Sequence, residues 1–88
     1  MKRRNIDEVL EEMYTDEKST LLNLFCFNLI SADVLIDKEA CKTRLEKLTK
    51  FEAFLSRQED SEKKDYYQKV ARDGRKIIER ELKKFQGV

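Results

Sequence analysis

Apolar residues recur at helical spacing in four successive stretches of the chain, and polar residues that start or stop helices stand between them. In the first stretch Ile6, Val9, Leu10 and Met13 share one face of a 3.6-residue repeat. Asn5 precedes them, and Glu8 follows Asn5 at the spacing of a capping box. The pattern predicts a short helix over 6–14. It is acidic, with Asp7, Glu8, Glu11 and Glu12, and carboxylates in a first turn suit the positive end of the helix dipole. Thr15 and Asp16 are placed to cap the next helix.

The second stretch, 17–30, is built on LLNLFCFNLI. At 100° per residue, Leu21, Leu22, Phe25, Cys26, Leu29 and Ile30 cover one half of the helix, and Leu24 and Phe27 occupy the other. Only Asn23 and Asn28 interrupt the ring. A helix that is apolar all round is normally buried all round. A short chain has little material to surround it. This helix is therefore either the centre of the fold, wrapped by the other three, or it also meets a second chain.

The third stretch, 38–56, follows Asp37, a good N-cap. Ala40, Cys41, Leu45, Leu48, Phe51 and Leu55 form its stripe, with Phe54 at the edge. The fourth, 61–85, carries Tyr66, Tyr67, Val70, Ala71, Ile77, Ile78, Leu82 and Phe85 at i, i+3 or i+4. Gly74 lies inside that stripe. Glycine costs about 1 kcal/mol of helix propensity there, which close approach of a neighbouring helix would explain. Gly87 suits a C-terminal cap.

Two joints need separate reading. Between the third and fourth helices, Ser56 and Glu59 have capping-box spacing, and Asp60-Ser61 offers a second start, but neither Gly nor Pro forces a turn. An unbroken helix over 38–85 would be about 70 Å long and would imply an extended dimer. Ordinary helix lengths favour a hairpin. Between the second and third helices runs SADVLIDKEA, residues 31–40. Asp33, Asp37 and Glu39 form the best metal-ligand candidate in the chain. Yet an EF-hand loop needs alternating oxygen ligands and a turn glycine, and Val34-Leu35-Ile36 stand in those places. The stretch reads as a corner: Val34 to Ile36 pin it to the core, with Ile36 and Cys41 as a hydrophobic staple around the Asp37 cap.

These elements predict an all-α fold: a small antiparallel helical bundle of three long helices plus a short N-terminal one, within one domain over 1–88, and dimeric. Composition agrees. There is no proline and there are only two glycines among 88 residues, which suits helices and not a turn-rich β fold. A chain of this size has a thin stability margin, which disulfides, metals or association commonly widen. Cys26 and Cys41 have no framework spacing, and Met1-Lys2-Arg3-Arg4 is not followed by the apolar segment of a secretory signal. We expect a reduced, cytoplasmic protein with no membrane partner and two buried thiols.

Candidate chemistry is sparse. Histidine is absent, which removes the usual neutral-pH base and the commonest metal ligand. Two cysteines fall short of a structural zinc set. With glycine only at 74 and 87, no loop can cradle phosphate. We expect neither an enzyme nor a bound cofactor or metal. Charged residues make up 42% of the chain but nearly cancel, at +1. The expected function is a regulatory protein–protein interaction module that acts through an apolar helical surface as a homodimer or on another protein. Leu21, Leu24, Phe25, Phe27 and Tyr14 are its candidate contacts. The alternative is nucleic-acid binding through Lys69, Arg72, Lys76, Arg80 and Lys83 on the last helix, joined by Lys2, Arg3 and Arg4. Against it, Asp65, Asp73 and Glu79 interrupt that face, and no aromatic residue interleaves with the basic ones.

Overall fold

The computed structural model describes residues 5–31 and 33–86 and shows four helices: α1 (Ile6–Thr15), α2 (Thr20–Ile30), α3 (Lys38–Ser56) and α4 (Glu62–Gln86). No strand occurs among the described residues. The basic residues Lys2, Arg3 and Arg4 and the expected cap at Gly87 lie outside the described residues.

The capping residues start their helices as their chemistry dictates. Asn5 Oδ1 accepts from the Glu8 N–H at 2.9 Å, and Asp37 Oδ1 accepts from the Ala40 N–H at 2.7 Å. Each satisfies one of the amide donors that a first helical turn leaves unpaired. Ser61 Oγ accepts from the Lys64 N–H at 3.1 Å in the same way. That cap follows a turn in which the Arg57 and Gln58 amides donate to Phe54 O and Leu55 O. The chain therefore breaks into a hairpin here and does not run on as one long helix.

The start of α2 differs from the expectation. It begins at Thr20, three residues late, because Thr15 and Asp16 do not cap it. The Thr15 hydroxyl donates back to Glu11 O and Glu12 O within α1. Asp16 is extended and accepts from the Lys18 amide at 3.4 Å, a local side-chain turn. The Ser19 amide then donates to Asp16 O, and Ser19 sits in the left-handed region at φ 54°. With α2 reduced to 11 residues, the fold has two long helices and two short ones, not three long and one short.

Packing also departs from a purely antiparallel order. The α3–α4 hairpin is antiparallel: Arg75 reaches Glu52 and Thr49, and Phe51 meets the Tyr67 ring edge-on. But Tyr67 donates to Asn23, and Gly74 faces Ile30, so α2 runs parallel to α4. A Cβ on Gly74 would lie 2.7 Å from Ile30 Cγ2. This is the close approach that explains the glycine. Helix α1 packs on α2 and α3, α4 packs on α2 and α3, and the bodies of α1 and α4 do not touch. The helices form a rhombus, with α1 and α4 on opposite sides of the α2–α3 pair, in a slab of 42 × 36 × 21 Å.

The core is centred on α3. Phe51, Leu48, Leu55 and Cys41 are fully buried, with Leu10, Leu22 and Ile78 closing around them. Phe54 lies inside the core, not at its edge, and the Tyr14 ring stands edge-on to it at 5.6 Å. In the corner, Leu35 is buried and Val34 packs against the core. Ile36 is 69% exposed, so it does not staple the turn as expected.

Two consecutive lysines join the helix ends. The Lys63 ammonium donates to Tyr14 O and Asp16 O at the end of α1 and lies 4.8 Å above the Tyr14 ring. Lys64 is buried. Its ammonium donates to Gln58 O at 2.9 Å and to Asp60 at 3.1 Å. Cationic donors at carbonyl-rich helix C-termini are favoured by both hydrogen bonding and the dipole.

Candidate functional site

Of the five residues expected to form an apolar contact surface, the structure brings three to the outside of α2. Leu21 is 57% exposed, Leu24 53% and Phe27 62%. They fall at i, i+3 and i+6, on the side of α2 that points away from α3. Leu22, Cys26 and Leu29 take the opposite side into the core. Helix α2 is therefore not the wrapped centre of the fold. Its apolar ring is divided, one half covered by this chain and the other half open.

The remaining two belong to the wall of the core. Phe25 is half-buried, edge-on to Phe51 at 5.5 Å. Tyr14 is half-buried between Phe54 and Lys63. Both hold neighbouring side chains in place and do not form the open face. Sequence reasoning missed Tyr66, which is 58% exposed at the α4 edge. Its ring stands edge-on to Tyr67 at 5.0 Å, and Tyr67 bonds Asn23 of α2. Adjacent tyrosines at 66 and 67 differ by 100° on the helix, so only one of them can point straight into the core. That signal was available in the spacing.

The open face of α2 carries no charge. Thr20, Asn23 and Asn28 are its exposed polar residues, and α2 contains no Asp, Glu, Lys or Arg. Charge lies on the flanking helices. Helix α1 has four carboxylates and no basic residue, whereas α4 has nine basic and five acidic residues. Several of these charges are held within the fold: Asp7 pairs with Arg57, Arg75 with Glu52 and Lys84 with Glu81, and Lys63 and Lys64 hold backbone carbonyls.

Lys69, Arg72, Lys76, Arg80 and Lys83 are all exposed on α4. Asp65, Asp73 and Glu79 are exposed between them, which keeps this face mixed in sign. The surface is only shallowly indented beside Lys76, Glu79, Arg80 and Lys83 and beside Asn5, Asp7, Glu8 and Glu11, and both places are open to solvent.

The side chains with shifted proton affinity are structural in setting. Burial pushes the Cys26 thiol up to about 11 and raises that of Cys41 as well. A thiolate is the reactive form, so both sulfurs are poor nucleophiles near neutral pH. Burial also raises the Tyr67 hydroxyl. The Asp33–Asp37–Glu39 group does not converge: Asp37 caps α3, and among the described residues no three potential ligands come together to hold a metal. No helix among the described residues is long and apolar enough to cross a membrane. Comparison of the chain with protein-family models, with curated proteins and with solved structures finds no match.

Proposed function

We propose that this protein is a non-catalytic interaction module that works through the open face of α2, self-associating as a homodimer with a regulatory role. The observation that carries this reading is the exposure of Leu21, Leu24 and Phe27 together on one uncharged helix face. Single exposed leucines are ordinary, but a grouped set of large apolar residues on a small domain is a favoured contact surface. Removing it from water stabilises association at about 25 cal/mol per Å² of apolar area. Aromatic anchors such as Phe27 carry a large share of such contacts.

Sedimentation equilibrium at tens of micromolar tests it. The expected result is a dimer for the natural sequence and a folded monomer for Phe27→Asp. Lys76→Asp, on the charged face of α4, leaves the dimer intact. A natural sequence that sediments as a monomer overturns the homodimer.

A further inference from the structure

We propose, resting on that homodimer, that the contact between the two copies spans the seam of α2 and α4, with Tyr66, Val70 and Ile77 beside Leu24 and Phe27, and leaves α1 outside. The inference comes from where the seam places the apolar residues of α4.

A helix of 11 residues is about 16 Å long. A stable interface covers roughly 800 Å² on each partner, far more than one such helix face offers. A dimer centred on α2 must therefore take in a neighbouring helix, and α1 and α4 flank it on opposite sides. Helix α1 offers little apolar surface: its exposed residues, Asp7, Glu8, Glu11, Glu12 and Thr15, are all polar. Helix α4 offers the exposed ring of Tyr66.

The packing of the seam sets that ring beside α2. Tyr67 donates to Asn23 at 2.7 Å, and Gly74 faces Ile30. From 23 to 30 and from 67 to 74 the two parallel helices advance equally, so they stay in step. Tyr66 therefore lies level with the first turns of α2, and Val70 level with Cys26 and Phe27. Rotation about α4 follows from two neighbours: Gly74 points at α2, and Arg75 points at Glu52 and Thr49 of α3. Each step of 100° thus turns from α2 toward α3. Tyr66, Val70 and Ile77 fall on the other side of the Tyr67–Gly74 line, away from α3. On α2, Phe27 lies between Asn23 and Ile30 at helical spacing and borders the same seam from the open side. Val70 and Ile77 are half-buried against the core, and Tyr66 is the exposed end of their row. One apolar band runs from Leu24 across Phe27 to Tyr66.

The band suits a second copy of this chain. An isologous contact sets residues near its two-fold axis against their own copies, so a charge there meets its like. Helix α2 carries no charge, and the band has charged residues only at its α4 margin, Lys69 and Asp73. The Tyr66 ring is already held edge-on to Tyr67, which is bonded to α2, so little freedom is lost when it is covered. A tyrosine also combines a broad apolar ring with a hydroxyl that reaches water at the rim of a contact.

Sedimentation equilibrium of Tyr66→Ala and Tyr66→Lys tests the seam. Each change is expected to raise the dimer dissociation constant at least about ten-fold. Because Tyr66 is exposed in the single copy, both variants keep the helical circular dichroism and urea midpoint of the natural monomer. Glu11→Ala, on the exposed side of α1, shifts the dissociation constant by less than about two-fold. A dimer that Phe27→Asp breaks but that either Tyr66 change leaves at full strength overturns the seam, while the α2 homodimer stands. Glu11→Ala as damaging as the Tyr66 changes has the same meaning, since the contact then reaches over α1. Unfolded Tyr66 variants place that ring in the core and overturn the seam as well. A natural sequence that stays monomeric, or a dimer untouched by Phe27→Asp, overturns both.

Discussion

In the α3–α4 hairpin, Phe51, Phe54, Leu55, Tyr67 and Ile78 are buried together, and the exposed residues of both helices are largely charged. In α2, Leu22, Cys26 and Leu29 are buried while Leu21, Leu24 and Phe27 stand in solvent, with no charged residue anywhere on the helix. The buried apolar residues of the hairpin are covered by each other and by α1 and α2, and Tyr66 and Phe85 at the α4 edge are its exposed large apolar residues. Helix α2 is richer in apolar residues for its length, and the chain covers only half of it. How apolar a helix is sets how much surface must be covered; the arrangement of its neighbours decides how much this chain covers by itself.

Substitutions can break or sharpen that contrast. The largest effect is expected at the centre of the hairpin. Phe51→Ala leaves a cavity among fully buried side chains and costs about 3–5 kcal/mol in urea unfolding. A loss under 1 kcal/mol there would mean that the hairpin is not the packed half. Next is Lys64→Met, which keeps the buried stem and removes the donor to Gln58 O. It costs about 1–3 kcal/mol, because the carbonyl loses a charged partner. The Asp60 end adds little, since that carboxylate is almost fully exposed.

Smaller effects come from two backbone positions with opposite sign. Gly74→Ala gains up to about 1 kcal/mol of helix propensity but drives a methyl into Ile30, and overpacking costs about 1–3 kcal/mol. The net expectation is a loss near 1 kcal/mol, or roughly 4–8 °C in thermal midpoint. Pairing it with Ile30→Ala should return part of the loss. Ser19→Gly relieves a left-handed backbone at a gain of about 1 kcal/mol but loses the long Ser19 Oγ bond to Asp16 O, so the net expectation is a gain below about 1 kcal/mol. A destabilised glycine variant would show that Ser19 contributes more than its backbone angle.

The smallest effect belongs to the open face. At concentrations dilute enough for monomers, Phe27→Ala should change unfolding free energy by no more than about 0.5 kcal/mol. A cost above 2 kcal/mol would place Phe27 in the core and erase the difference between the two regions.

Much of this fold is legible in the sequence, where one local interaction decides the outcome. Asn5 and Asp37 cap because short polar side chains reach the third amide of the helix without competition. Gly74 within an apolar stripe predicts a close neighbour, and Ile30 is that neighbour. The start of α2 was not legible. Asp16 has two local uses, capping a helix or closing a turn, and their energies are similar. Phe54 looks marginal on a wheel of α3 alone, but α1 adds a second wall that buries it. Lys64 reads as a solvent residue until the hairpin brings the Gln58 carbonyl to it. Of the candidate surface, helical spacing set Leu24 and Phe27 apart from the rest of α2 but grouped Leu21 with Leu22, Phe25 and Cys26, whereas the structure exposes Leu21 beside Leu24. Phe25 and Tyr14 are half-buried because Phe51 and Phe54 of α3 stand against them, which spacing within their own helices does not show.

Lys63 and Lys64 are neighbours in sequence, so they leave α4 about 100° apart and reach in different directions. One holds the last carbonyls of α1, and the other holds the carbonyl that follows α3. The first turn of α4 is thus a shared fastening for three helix ends. Fraying there cannot remain a private event of α4: it releases the end of α1 and the α3–α4 turn in the same step. Amide protection in those three segments would then rise and fall together, as one cooperative opening unit at one end of the slab.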